Sequence, residues 1–454
     1  MAFRSINPKN NKLFMSYEAI TNQQMFEHLE KSYKSYKYMR NQGREGFDER
    51  FSKFQKLISL MKDRKEKIAL GITNDMGKPL KESIAEVEKS MGLVEYYIKN
   101  TRDLAADEIL QTRFPETTVR NQPLGPTLRN PILLKHSDQV PQSANNLDLL
   151  FRDSQTFSLI IVFSGFDNGE FTNLFIDHNQ AADLIADPRL TSVKFVGSTQ
   201  GGKKVAELCG RHMKKSVFEL GGSDAFIVLE DADLDLAVQK AIIARLHTSG
   251  QACNNAKRFM IHAQVYDEFV QKLKAGLDKH IKIGDPLDMT TTIGPLSSQR
   301  AKEGLTNQIQ KSLQNGAKII YGNLEYEHPN EELKNGNYFH PLVLENITKD
   351  QPAYCEELFG PVFSLFKIKS DHDAIDLAND SIYGLSASVF TQNIQRGRQA
   401  ASFLEVGNVF INEAVSSDAA IPGGGVKESG FGRECYKDGL FETVNRKAVI
   451  VGKL

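Results

Sequence analysis

Cys253 is the residue around which chemistry can be built in this chain. It sits in Ser249-Gly250-Gln251-Ala252-Cys253-Asn254-Asn255, where small and polar neighbours leave a thiol open to a ligand. Upstream, the carboxylate Glu219 is followed by Leu220 and the paired Gly221 and Gly222. A thiol nucleophile needs a base or water activator beside it and open backbone around it, and residues 214–258 offer both within one strand-helix-turn unit. The alternatives are plain ones: a buried apolar thiol for Cys253 and a strand-end charge for Glu219.

The elements that must position this pair follow from periodicity. Residues 16–120 read as helix-rich. Met25, Phe26, Leu29, Tyr33 and Tyr36 recur at three- and four-residue steps up to Gly43. Phe51, Phe54, Leu57, Ile58 and Met61 repeat the habit, and KESIAEVEKSMGLVEYYIKNT supplies a third amphipathic helix. From Thr117 the texture changes to short strands: TTVRNQPLGPTL, ILLKH (132–136), NLFID (173–177), SVKFVGS (192–198), AFIVLE (225–230) and RFMIH (258–262), with helical pieces between. Such alternation predicts a mostly parallel sheet covered on both faces. Asp231 or Asp233 can cap a helix that Gly250 ends. GSTQGG follows its strand directly and opens a helix, a placement suited to a phosphate. The closing RKAVIVGKL reads as a strand with no helix after it, expected to pair with something else, such as a neighbouring subunit.

With 454 residues the chain has room for about two to three domains. Its formal net charge of -1 provides no global field for nucleic acid or an anionic membrane, so neither partner is expected. Cys209, Cys253, Cys355 and Cys435 lack CxxC spacing, which argues against a zinc ribbon, a redox dithiol or a disulfide framework; no metal site is expected. MAFRSINPKNNKLF has neither the apolar core of a signal peptide nor the character of a transit peptide, and no apolar run is long enough to span a bilayer. The expectation is a cytoplasmic protein.

Six motifs together resemble the aldehyde dehydrogenase superfamily: ELGG (219–222), GQAC (250–253), EELFGPV (356–362), YGLSASVFT (383–391), GNVFIN (407–412) and GGVKESGFGRE (424–434). Each is weak alone; in this order and spacing the set is specific and covers nearly the whole chain. ELGGSDAFIVLEDADLDLA and PGGGVKESGFGRE are most similar to the short succinate-semialdehyde dehydrogenases.

The resemblance implies an α/β fold with a Rossmann-like NAD(P)-binding domain over 1–228, an α/β catalytic domain over 229–420, and a return to the first domain over 421–454. A small oligomerisation element would be built from 117–128 and the last strand, making a homodimer or homotetramer. The resemblance also implies a mechanism. Cys253 as thiolate adds to an aldehyde carbon, a hydride leaves to the nicotinamide, and water activated by Glu219 hydrolyses the thioester. Lys135 would hold the adenosine ribose, Ser198 and Gly202 would contact the cofactor phosphates, Leu220 would lie against the cofactor, and Glu357 and Phe359 would bind near the nicotinamide. Asp138 is acidic where the extra phosphate of NADP would sit, so repulsion leans towards NAD. Ser416 and Ser417 resemble a substrate loop, and His247 stands where relatives carry an arginine for the substrate carboxylate.

The pattern also breaks. Leu128 runs through Arg129, Asn130 and Pro131 directly into Ile132, so the family's Pro-Trp-Asn-aromatic-Pro loop and the helix after it are missing, and the chain has no tryptophan. The asparagine of that loop supplies half of the oxyanion hole, and its loss removes a donor worth about 3 kcal/mol. SQTFSLIIVFS (154–164) looks like an insertion. Gly423 replaces the phenylalanine usual in the family, and Thr248 an asparagine. These departures imply a misread splice boundary or a degenerate paralogue. The alternative function is then a catalytically impaired dehydrogenase-like protein acting by association or cofactor binding.

Overall fold

The computed structural model describes residues 2–43, 45–123, 131–152, 166 and 169–453. A seven-stranded sheet runs in the order Lys318–Tyr321, Leu342–Glu345, Val362–Ile368, Ala256–His262, Asp224–Val228, Ser386–Phe390, Asn408–Ile411. Its first pair is antiparallel and the other five are parallel. Every residue of the central Asp224–Val228 and Ala256–His262 strands is buried, as a parallel sheet covered on both faces requires. Phe226 stacks on Phe390 at 4.5 Å and lies 5.1 Å from Phe259, which is 4.9 Å from Phe363, so four aromatic rings cross the sheet on one face. Helices Leu234–Leu246 and Tyr266–His280 cover that face, and Asp371–Asn379 and Ile394–Phe403 cover the other.

The other half carries smaller sheets. Ile132–Leu134 pairs in parallel with Phe171–Asn173. Ser192–Val196 pairs in parallel with Lys215–Glu219, which pairs antiparallel with Gly430–Phe431. Helices Asn22–Gln42, Phe47–Asp63, Lys65–Met76 and Leu80–Leu104 precede them in the chain. A cavity of about 1360 Å³ opens between these helices and the small sheets. Leu220, Gly221 and Gly222 carry the chain from the small sheet into the large one.

Several sequence expectations need correction. A hairpin, Ala2–Asn7 with Lys12–Glu18, precedes the first helix and was not anticipated. The second helical stretch is two helices that break at Arg64. The strand expected over 173–177 is Phe171–Asn173, because its partner is only three residues long; the Leu174 amide makes a last bond to the Leu134 carbonyl before the chain turns to Asp177, which caps the next helix. The final strand, Val444–Val451, finds its partner within the chain, along the whole of Glu116–Pro123.

Candidate active site

Glu219 ends the Lys215–Glu219 strand, where its backbone carbonyl accepts from the Gly197 amide at 3.1 Å. The residue is only 8 % exposed and carboxyl Oε1 has no hydrogen-bond partner. Burial, with Glu434 adding to it, pushes its pKa up to about 7. Gly424, at φ +137°, seats this carboxyl: a Cβ there would lie 2.8 Å from Oε1.

Cys253 follows a strained turn. Asp233 caps the Leu234–Leu246 helix by accepting from the Asp235 and Leu236 amides at 3.1 Å each. Gly250 does not end this helix. It stops at Leu246, and Thr248, Ser249 and Gly250 all take positive φ (54°, 53° and 77°). Two non-glycine residues in this region cost free energy that surrounding contacts must offset. The Thr248 amide donates to Glu82 Oε2 at 2.7 Å, and the Ser249 hydroxyl bridges the Gly294 carbonyl and amide at 3.0 Å each. Gly250 packs on the 356–362 loop so closely that a Cβ would stand 2.3 Å from the Gly360 carbonyl carbon. Cys253 follows, partly buried. Burial pushes its thiol up to about 11; Asp224, Glu219 and Glu357 add to the rise, and Lys257 opposes it.

The paired glycines admit protein, not only ligand. A Cβ on Gly221 would lie 2.7 Å from Glu357 Oε2, and one on Gly222 would lie 2.6 Å from the Cys253 carbonyl oxygen. The Gly222 amide donates to Glu357 Oε1 at 3.1 Å. Glu219, Cys253 and Glu357 are thus brought to one place by the passage between the two sheets.

Buried cations here escaped the sequence reading. Arg245 is fully buried, and its guanidinium donates to the carbonyls of Val362 (2.7 Å), Leu358 (2.6 Å) and Gly360. It therefore holds the loop that bears Glu357 and Phe359. Lys257 donates to the carbonyls of Cys253 at 2.6 Å and Ala252 at 3.1 Å. Arg258 donates to those of Ser223, Leu377 and Ala378. One signal was available: Lys257 and Arg258 open a strand whose continuation, Phe259, Met260 and Ile261, is wholly apolar, and charges there must be paired.

The cofactor candidates separate into groups. Lys135, Asp138 and Ser198 line the cavity. Lys135 Nζ donates to Asp138 Oδ1 at 2.8 Å, so the charge on Asp138 is matched within the chain. Ser198 caps the Thr199–Arg211 helix, its hydroxyl accepting from the Gly201 amide at 3.2 Å. Gly202 and Leu220 pack on each other: a Cβ on Gly202 would meet Leu220 Cδ2 at 2.4 Å. Phe359 is 40 % exposed. Ser416 and Ser417 are exposed, on the loop after Asn408–Ile411. His247 Nδ1 stands 3.4 Å from Glu82 Oε2, so a carboxylate already faces the proposed substrate histidine. The junction at 128–130 and the inserted 154–164 lie outside the described residues. Among those described, no cluster of His, Cys, Asp or Glu could hold a metal ion, and no helix is long and apolar enough to cross a membrane.

A cysteine and a buried carboxyl at the junction of two sheets, in a fold whose cavity reaches a helix N-terminus at Ser198, make a cofactor-dependent enzyme with a thiol nucleophile the class to test. The aldehyde dehydrogenase family model matches residues 1–449, and the chain belongs to that family. It is 36% identical over 469 aligned residues to a succinate-semialdehyde dehydrogenase [NADP(+)] of Deinococcus radiodurans, covering 98% of this chain and 94% of that one. It is 35% identical to the succinate semialdehyde dehydrogenase [NAD(P)+] Sad of Escherichia coli, with 88% of each covered. Among solved structures it resembles the succinic semialdehyde dehydrogenase of Streptococcus pyogenes in complex with NADP+, with a TM-score of 0.92, 32% identity, and 99% of this chain and 100% of that one covered.

Proposed function

We propose that this enzyme oxidises succinic semialdehyde to succinate with NAD(P), through a thioester on Cys253. The observation that carries the proposal is the buried carboxyl of Glu219, its pKa pushed up to about 7, close enough for its charge to act on the Cys253 thiol. Cys253 Sγ adds to the aldehyde carbon and becomes a thioester as the hydride leaves. Glu219 then takes a proton from the water that attacks the thioester, and the thiolate departs. A general base works best when its pKa lies near the working pH, and Glu219 meets that condition.

NAD(P), when bound, supplies the hydride acceptor. Two features of the cavity wall would meet its anionic part: Lys135, and Ser198 with the N-terminus of the Thr199–Arg211 helix; most of the remaining wall is apolar, and Glu219, Cys253, Glu357 and Phe359 lie outside it. Glu357 and Phe359 would meet the nicotinamide end. The lean towards NAD is withdrawn. The ion pair with Lys135 removes the repulsion that Asp138 was expected to exert, and the names of the relatives carry NADP. Succinic semialdehyde rests on those relatives; Ser416 and Ser417 remain the substrate-loop proposal, and His247 is the weaker one because Glu82 competes for it. Homodimer or homotetramer formation is supported by the outer edge of Val444–Val451, where Ile450 is 53 % exposed.

A second reading, an impaired enzyme, is favoured by one observation. A thiol pushed up to about 11 holds scarcely any thiolate at neutral pH, and the sequence lacks the loop asparagine that would supply the side-chain donor of the oxyanion hole. The test is nicotinamide reduction by the purified chain with succinic semialdehyde and NAD or NADP. Turnover that Cys253→Ala abolishes is expected, about a hundredfold below ordinary family rates on the impaired reading. Turnover that survives Cys253→Ala would sink the mechanism, and ordinary rates would sink the impairment.

A further inference from the structure

Lys257 has no role in the chemistry described so far, yet its position is unusual. It lies four residues beyond Cys253 in a side chain only 2% exposed. Its ammonium donates to the Cys253 carbonyl at 2.6 Å and the Ala252 carbonyl at 3.1 Å, and stands 3.3 Å from Glu357 Oε1. That same Glu357 oxygen accepts from the Gly222 amide. One cation therefore touches the nucleophile turn and the acid of the 356–362 loop, at the point where the chain passes between the sheets.

Carbonyl acceptors alone do not call for a charge; a neutral donor would satisfy them at less desolvation cost. What the charge adds is a field on both partners. The thiol of Cys253 is faced by Glu219 from the small sheet, Asp224 from the neighbouring strand, Glu357 from the 356–362 loop, and Lys257. Three of these four are acids. Lys257 is in turn faced by Glu357, Asp224, Arg245 and Cys253.

We propose that Lys257 is a positioning residue for aldehyde oxidation, its ammonium tying the Cys253 peptide to the Glu357 carboxylate so that nucleophile and cofactor-side acid are held as one unit. This rests on the reading of Cys253 as nucleophile and Glu357 as cofactor-side acid. Without the cation, Glu357 faces Cys253 uncompensated, the thiolate is disfavoured, and the carboxylate is free to leave the place where it would meet the nicotinamide ribose.

The experiment uses the full chain and does not depend on turnover. Alkylation of Cys253 by iodoacetamide at about pH 8 is followed by the mass of its peptide, and NADPH binding by the fluorescence of the nucleotide. Lys257→Met should slow alkylation about tenfold, the effect of one unit in the thiol's pKa, and weaken NADPH binding about tenfold. Lys257→Arg, which restores the charge, should bring both to within about threefold of the starting chain. Lys257→Gln keeps a donor for the two carbonyls and loses the charge; it should alkylate as slowly as the Met variant, and it replaces that variant if the Met chain fails to fold. Wild-type alkylation and NADPH affinity in Lys257→Met or Lys257→Gln, with only the Tm lowered, would reduce Lys257 to a structural residue. An Arg variant no better than Met would overturn the proposal as well. Aldehyde oxidation that survives Cys253→Ala would instead overturn the nucleophile reading, and the alkylation and binding data would still judge Lys257.

Discussion

The two parallel sheets that meet at Gly221 and Gly222 differ in how completely they are closed. The large one joins seven strands in one ladder with helices on both faces. On the small side, Ile132–Leu134 with Phe171–Asn173 and the three strands Ser192–Val196, Lys215–Glu219 and Gly430–Phe431 form separate sheets, and among the described residues no ladder joins them. The cavity lies against both. A parallel strand is stable when both faces are buried. The inner strands Asp224–Val228, Ala256–His262 and Ser386–Phe390 of the large sheet meet that condition, while Val196 in the small one is 65 % exposed. Cys253 thus stands on the well-packed side and Glu219 at the end of a strand on the open side.

The largest expected effect tests whether chemistry depends on both sides. Cys253→Ala should lower turnover by at least about a thousandfold, read as nicotinamide reduction. Glu219→Gln should cost about a hundredfold and remove a rising limb in the pH profile. The sign follows from the raised pKa of about 7: Glu219 is a protonated, inactive base below it and gains activity as pH rises through it. The same shift makes its contribution to stability most favourable below the unfolded value of about 4.5, and that contribution is lost as pH rises through about 7. A limb near 7 that persists in the Gln variant would assign the base elsewhere.

Next in size, Arg245→Met leaves the carbonyls of Leu358, Gly360 and Val362 without their buried donor and should destabilise the protein by about 3 kcal/mol, measured by urea unfolding. A loss below about 1 kcal/mol would mean that the loop is held by other contacts. The contrast between the sheets should also appear in hydrogen exchange. Amides of Ile132–Leu134 and Phe171–Asn173 should exchange at least about tenfold faster than those of Asp224–Val228 and Ala256–His262. Equal protection would show that the small sheet opens only with the whole molecule. The smallest effect is at Asp138. Its replacement by Ala frees Lys135 and should favour NADP over NAD by about threefold in kcat/KM, through an attraction screened at a half-exposed site.

Periodicity located the helices from 22 to 104 apart from the break at Arg64, and the alternation from 192 onward located most strands. Those elements bury one clear face, so their pattern is local. The N-terminal hairpin was invisible because its second strand, Lys12–Glu18, is mostly exposed and carries no buried alternation. The end of the helix before Cys253 was misjudged because Gly250 looks like a stop signal, whereas Thr248 and Ser249 turn first, held by Glu82 and Gly294 from distant parts of the chain. Gly202 and Leu220, expected as cofactor contacts, also pack on each other, a contact between distant positions that the local pattern does not announce.

The order and types of Cys253, Glu219, Glu357 and their motifs were determined by the sequence alone, because nucleophile, base and tight glycine turn are properties of residue type and local spacing. Which groups face one another was decided only by the tertiary structure. Arg245 and Lys257 are separated in sequence by a hundred residues or more from the carbonyls of Leu358 and Gly360 and from the carboxylate of Glu357, respectively, and no local pattern announces such partners. The environment that raises Glu219 and Cys253 has the same origin: desolvation and the field of neighbouring charges depend on packing in space, which no single stretch of the chain contains.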